Sequence, residues 1–205
     1  RQMCIRDRAW ATDLVNLKGA GDMSQYEFVL HNWTPARFKV GQMIGSSGIL
    51  MGMAFAMYRN VDPDKKARYK SMYFSAALAV FLTGVTEPLE FMFMFAAVPL
   101  YVIYSVIQGA AFAMADILPL RVHSFGNIEL LTRTPLAIKA GLGGDLINFV
   151  LCVIAFGVVT YFLANFLIKK FNFATPGRNG NYDNDSEETV VSNLSLIHIS
   201  EPTRP

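Results

Sequence analysis

The segment Gly84-Val85-Thr86-Glu87-Pro88-Leu89-Glu90-Phe91-Met92 sets two carboxylates, a hydroxyl and a proline between the apolar runs 76–82 and 91–98. An ionisable side chain at membrane depth costs at least ~2.5 kcal/mol on insertion scales, so such groups face a cavity, a partner or a ligand. Proline disfavours helix at the residue before it and suits the first helical position. On that reading Glu87 is the N-cap, and Glu90 occupies the third helical position, where a carboxylate bonds back to the cap and meets the positive end of the macrodipole. Helix-start physics therefore accounts for Glu90. It does not account for Glu87, because serine or asparagine would cap equally well without desolvating a charge. Secondary transporters hold substrates at helix breaks of this kind near the bilayer midplane. A carboxylate there can accept charge-assisted hydrogen bonds from two neighbouring hydroxyls, which suits a sugar. It equally suits a cation.

The elements that must carry these groups are apolar. Of the 205 residues 53% are hydrophobic and 17% charged, against ~25% charged in ordinary soluble domains. The apolar residues gather in the blocks 41–58, 71–85, 91–118 and 146–168. A helix crossing the hydrocarbon core needs about 20 residues, so the second block is too short and the last is long enough. The expected fold is all-α, a polytopic membrane protein with re-entrant hairpins.

Between the first two blocks, Arg59, Lys65, Lys66, Arg68 and Lys70 mark a cytoplasmic loop by the positive-inside rule. Lys169 and Lys170 mark the same side after the last block. The intervening chain must then cross an even number of times. Residues 146–168 and 91–118 supply two crossings, and 71–84 enters and returns as a re-entrant hairpin with Glu87-Pro88 at its tip. Residues 119–144 leave room for further embedded pieces. Gly41-x-x-x-Gly45 and Gly48-x-x-x-Gly52 have the spacing of close helix packing; alternatively, Gly45-Ser46-Ser47-Gly48 interrupts the helix beside a wet cavity. Residues 9–39, with Gly19, Gly21, Asn32 and Pro35, read as a loop or interfacial segment. The polar stretch 171–193 reads as a flexible cytoplasmic linker.

Other features exclude functions rather than suggest them. A net charge of +2, with no basic run interleaved with aromatics, speaks against nucleic acid. Cys4 and Cys152 are too unlike in setting for a disulfide or a metal site, and His31, His123 and His198 are scattered, so no metal, cofactor or catalytic residue is expected. Cys152 reads as a small buried hydrophobe. Arg121, His123 and Arg133 could line a substrate path, but loop-end snorkelling or phosphate-surface contact is the commoner use. Asp145 reads as a helix cap and Asn148 as an interhelical hydrogen-bonding group. Residues 1–8 and 194–205 resemble translated sequencing-adapter read-through and are expected to be non-native tails around a partial membrane domain, 9–170.

The string Gly84-Val85-Thr86-Glu87-Pro88-Leu89-Glu90-Phe91, followed by the aromatic run to Tyr101 and preceded by Ala54-Phe55-Ala56-Met57-Tyr58 before a basic loop, resembles the membrane domain, enzyme IIC, of the bacterial phosphoenolpyruvate-dependent sugar phosphotransferase system. The resemblance falls in the glucose, maltose and N-acetylglucosamine superfamily and covers about 37–182. Val61-Asp62-Pro63-Asp64-Lys65, Arg121-Val122-His123-Ser124-Phe125-Gly126 and Ala174-Thr175-Pro176-Gly177-Arg178 look most like the maltose/glucose-type permeases. This implies a multi-pass protein of the bacterial plasma membrane, a homodimer when full-length. It would bind glucose or a maltose-like sugar in a mobile transport domain and release it inward for phosphorylation by a IIB domain. The resemblance puts Glu87 on the sugar hydroxyls with Thr86 beside it, and Glu90 completes the candidate substrate-binding set. The family's N-terminal scaffold helices and a histidine-bearing binding segment have no counterpart upstream of Arg37, and His31 lacks the motif for that role. No IIB cysteine motif is present, so the chain is expected to be about half a permease whose phosphoryl-carrying residue lies elsewhere. The competing class is an ion-coupled secondary sugar transporter in which Glu87 titrates; a membrane-embedded sensor is a third.

Overall fold

The computed structural model describes residues 2–32, 39–118, 120–121 and 124–179; the candidate tail 194–205, His123 and the acidic stretch 183–188 lie outside them. The regular structure of the described residues is all helical: α1 (Gln2–Ala20), α2 (Met23–Asn32), α3 (Lys39–Ile44), a π-helical turn (Gly45–Ile49), α4 (Leu50–Arg59), α5 (Lys66–Thr83), α6 (Glu87–Met94), α7 (Val98–Ile117), α8 (Asn127–Lys139) and α9 (Gly143–Lys170).

The central element is the rod formed by α3, the π turn and α4. Its glycines explain why it can be central. A Cβ on Gly48 would run into the Val153 carbonyl of α9, and one on Gly52 into that of Gly157; Gly41 abuts Phe112 and Gly45 abuts Gln108, both on α7. Close backbone approach through small residues is how helices pack in a membrane, where apolar burial alone gives no drive. The packing role of the two glycine pairs thus holds. The alternative, an interruption at Gly45-Ser46-Ser47-Gly48, is reduced to a π turn that leaves the rod continuous. Along the rod Val40, Met43, Ile44, Leu50, Met53 and Met57 are all essentially inaccessible.

Among the described residues three stretches are long and apolar enough to cross a membrane: Lys39–Arg59, Val98–Ala115 and Gly143–Lys170. The block 91–118, expected as one crossing, is split: α6 stops at Met94 and α7 starts at Val98. Pro99 causes the break, since it has no N–H to donate back one turn and is accommodated only in a first helical turn.

Residues 9–39 are not the expected loop, for α1 and α2 fill most of them. Trp10 and Leu14 lie one turn apart and bury with Tyr26, Ala140 and Leu142 in a separate small core, and the Tyr26 hydroxyl donates to the Ala140 carbonyl at 2.7 Å. Gly21 acts as a breaker only locally, at φ 78° between two helices. Asp22 then caps α2, accepting the Gln25 N–H at 3.2 Å. The stretch 119–144 supplies α8.

Residues 171–179 fold back under α9 as a collar. Arg178 Nη1 donates to the Ile168 carbonyl at 2.6 Å, the Tyr73 hydroxyl to Pro176 at 3.0 Å, and the Asp62 N–H to Gly177 at 3.1 Å. The polar composition read as linker is partly spent on satisfying the last carbonyls of α9, which lack intrahelical donors.

Candidate functional site

Helix α5 ends where Gly84 takes the left-handed conformation, φ 77°, and returns its N–H to Val80 at 2.9 Å. Val85 and Thr86 turn the chain, and α6 packs back against α5. The N-cap is Thr86, one residue ahead of the expected Glu87; Glu87 is the first helical residue. The Thr86 carbonyl accepts the N–H groups of Leu89 and Glu90 at 3.2 and 3.1 Å, which fixes the frame. Pro88, lacking an N–H, sits at the second position instead of the first. Thr86 is buried, and its side chain makes no cap bond.

This one-residue shift changes the account of Glu90. At the fourth helical position it does not reach back to the cap. Its Oε1 accepts the Tyr104 hydroxyl at 2.6 Å, an O–H to carboxylate bond of the short, strong kind. Tyr104 is itself buried on α7, edge-on to Phe93 with ring centroids 5.6 Å apart. Glu87 is exposed, and no described residue pairs with its carboxylate. Of the three predicted site residues the turn therefore brings all together in sequence, but only Glu87 is left open. Phe91 on α6 and Phe95 just past its end, at successive i+4 steps from Glu87, are exposed, their rings stacked at 6.2 Å. Beside them a cleft of about 240 Å³ is bounded by Met72, Pro88, Phe91, Met92 and Pro176.

Several supporting residues escaped the sequence reading. Tyr104 lies 14 residues from Glu90 across a helix break. Asn127 donates to the Phe81 carbonyl at 2.7 Å and to the Ser47 hydroxyl at 2.9 Å; it follows directly on the recognised Ser124-Phe125-Gly126 string, a position at which its side chain reads only as a helix start. Gln108 donates to the Gly41 carbonyl at 2.9 Å.

Arg121 and Asp145 need correction. Asp145 is not a cap, since the residue flanking α9 is Leu142. Its buried carboxylate accepts the Arg121 backbone N–H at 3.0 Å and Nε at 2.8 Å, while Arg121 Nη1 reaches the Leu30 carbonyl at 3.2 Å. Arg121 is thus locked in a buried ion pair and does not snorkel. Arg133 pairs with Glu129 at 2.6 Å, one turn away on α8. Asn148 has no hydrogen-bond partner among the described residues, contrary to the interhelical bond expected of it. Cys152 is a free, buried thiol in α9. Among the described residues no three His, Cys, Asp or Glu side chains converge as a metal site would require.

Residues 20–109, which include the whole turn and α6, match the family model described as phosphotransferase system, EIIC. The chain is 66% identical over 183 residues to the glucose-specific EIICBA component of the phosphotransferase system of Streptococcus pneumoniae serotype 4, covering 88% of this chain and 25% of that protein. It is 35% identical over 178 residues to the glucoside-specific EIICBA component of Staphylococcus carnosus, covering 84% of this chain and 25% of that relative. The chain spans about a quarter of the length of the curated relatives it matches. With three apolar stretches long enough to span among the described residues and the Thr-Glu-Pro turn inside the matched region, residues 20–109 of the chain belong to the phosphotransferase-system EIIC family of integral plasma-membrane proteins.

Proposed function

We propose that this chain is the part of a glucose permease that holds the sugar at the α5–α6 turn, with Glu87 accepting sugar hydroxyls, Thr86 beside it and Glu90 behind it, and presents it for phosphorylation by a IIB domain. The observation that carries this reading is the contrast between the two carboxylates: Glu90 is consumed by Tyr104, whereas Glu87 is exposed without a described partner at the start of a helix whose flanks are apolar. An unpaired carboxylate in such surroundings is costly unless a ligand satisfies it. The relatives' names support glucose or a glucoside over other sugars and a IIB partner over an independent carrier. In this reading the membrane domain occupies 9–170, α5–α6 is the re-entrant hairpin, and the ends 1–8 and 194–205 are foreign. The apolar faces of α7 and α9, with Val102, Val106, Ile154 and Val158 exposed, meet lipid or the other half of a homodimer.

The test uses the full-length protein in vesicles. Uptake that requires phosphoenolpyruvate and yields sugar phosphate supports the reading; accumulation of unmodified sugar driven by an ion gradient refutes it in favour of the ion-coupled class. Replacing charge-assisted bonds by neutral ones loses about half their strength, so Glu87→Gln should raise the sugar KM about tenfold or more, given ~1.4 kcal/mol per tenfold. Glu90→Gln keeps an acceptor for Tyr104 and should change KM by less than about threefold. Equal losses would refute the division between the two glutamates.

A further inference from the structure

The C-terminal end of α5 leaves carbonyls without intrahelical donors, and in a bilayer no water supplies them. Gly84 N–H serves Val80. The next carbonyl, Phe81, is served from 46 residues away by Asn127 Nδ2 at 2.7 Å, and the same nitrogen lies 2.9 Å from Ser47 Oγ in the π turn. An amide NH₂ has two hydrogens, so both are spent, one on each element. A single side chain thus ties the end of α5 to the central rod and to the start of α8.

The surroundings of this tie leave no slack. A Cβ on Gly84 would collide with the Phe125 carbonyl, and one on Gly126 with the Thr83 carbonyl, so the segments 83–84 and 125–126 lie backbone against backbone. Ser124 is fully buried and its hydroxyl donates to Gly126 at 2.8 Å; the Phe125 N–H is held by Glu129 Oε2 at 2.8 Å. The Lys39 ammonium sits 3.8 Å from the centre of the Phe125 ring, at the start of the rod. Two residues beyond Gly84 comes Thr86, and then Glu87.

We infer that Asn127 is a positioning residue for the sugar site: through Phe81 and Ser47 it fixes where the Thr86-Glu87 turn stands relative to the rod, and α8 cannot shift along the rod without dragging that turn with it. The π turn is part of the device, since it carries Ser47; π turns are frequent at functional sites. The inference rests on the proposed sugar site, and its consequence is that affinity for sugar depends on an amide that touches no sugar.

The experiment measures KM and kcat of phosphoenolpyruvate-dependent glucose phosphorylation, together with the thermal midpoint, for the full-length protein carrying Asn127→Ala, Asn127→Asp or Ser47→Ala, with Glu87→Gln as reference. Asn127→Ala should raise KM about tenfold with kcat within about twofold, the signature of a displaced binding group. Asn127→Asp should be worse, because it faces the Phe81 carbonyl with a carboxylate. Ser47→Ala keeps the Phe81 bond and should raise KM about threefold. An Asn127→Ala protein with a lowered thermal midpoint and unchanged KM would show a purely structural bond and overturn the inference. If Asn127→Ala does not fold, Ser47→Ala decides, an unchanged KM overturning it. A Glu87→Gln protein with unchanged KM would instead overturn the sugar site itself, whatever the Asn127 variants do.

Discussion

Arg121→Ala is expected to destabilise the protein severely. Asp145 is 6% exposed and accepts three donors, all from Arg121: the backbone N–H at 3.0 Å, Nε at 2.8 Å and Nη2 at 3.4 Å. Removing one partner of a buried ion pair costs ~3–5 kcal/mol, because the survivor keeps its desolvation penalty. Alanine leaves the backbone N–H in place, so the loss should fall near the lower end, about 3 kcal/mol. Asp145→Ala should cost less, about 2 kcal/mol, since the Arg121 side chain is 18% exposed and retains the Leu30 carbonyl at 3.2 Å. Replacing both, as Arg121→Met with Asp145→Leu, removes two charges together and should lie within about 1 kcal/mol of the parent. The assay is denaturant unfolding of the detergent-solubilised full-length protein, with the double-mutant cycle closed against Arg121→Met and Asp145→Leu singly. Two single losses that simply add in the double variant would refute a coupled pair, as would a loss under about 0.5 kcal/mol for Arg121→Ala.

Two further substitutions probe what stands behind the site and what holds the helices together. Tyr104→Phe strips the only described donor to Glu90 and should cost ~1.5–3 kcal/mol of stability, the value of a hydrogen bond to a charged group, while raising sugar KM less than Glu87→Gln does; thermal unfolding and phosphorylation kinetics separate the two effects. Gly52→Val places side-chain atoms against the Gly157 carbonyl and the Tyr161 N–H of α9. Backbone cannot yield as a side chain can, so the loss should reach at least ~1–3 kcal/mol, measured against Gly109→Val, where a Cβ meets nothing within 4 Å.

What was legible in the sequence and what was not follow from the range of the forces involved. Long apolar runs need no partner to declare themselves, so α9 and the spacing of Gly41, Gly45, Gly48 and Gly52 were readable along the chain. The shift of the cap from Glu87 to Thr86 turns on whether proline takes the first or second helical position, and both satisfy its missing N–H. Helices α1 and α2 were hidden because their core is completed by Ala140 and Leu142 from more than a hundred residues away. The polar side chains follow the same rule most strictly. Glu90 and Asp145 were visible as polar groups beside apolar runs and Asn127 was passed over, but the meaning of all three lay in partners that only the packed helices supply: Tyr104, Arg121 and the Phe81 carbonyl. A sequence shows that a buried polar group must be satisfied without showing by what, and local helix-start physics fills that gap with a plausible local answer, as it did for Glu90 and Asp145. Once packing assigns those two to Tyr104 and Arg121, Glu87 is the carboxylate of the turn still lacking a described partner, and this elimination by structure supports a ligand there more strongly than its position ahead of Pro88 could.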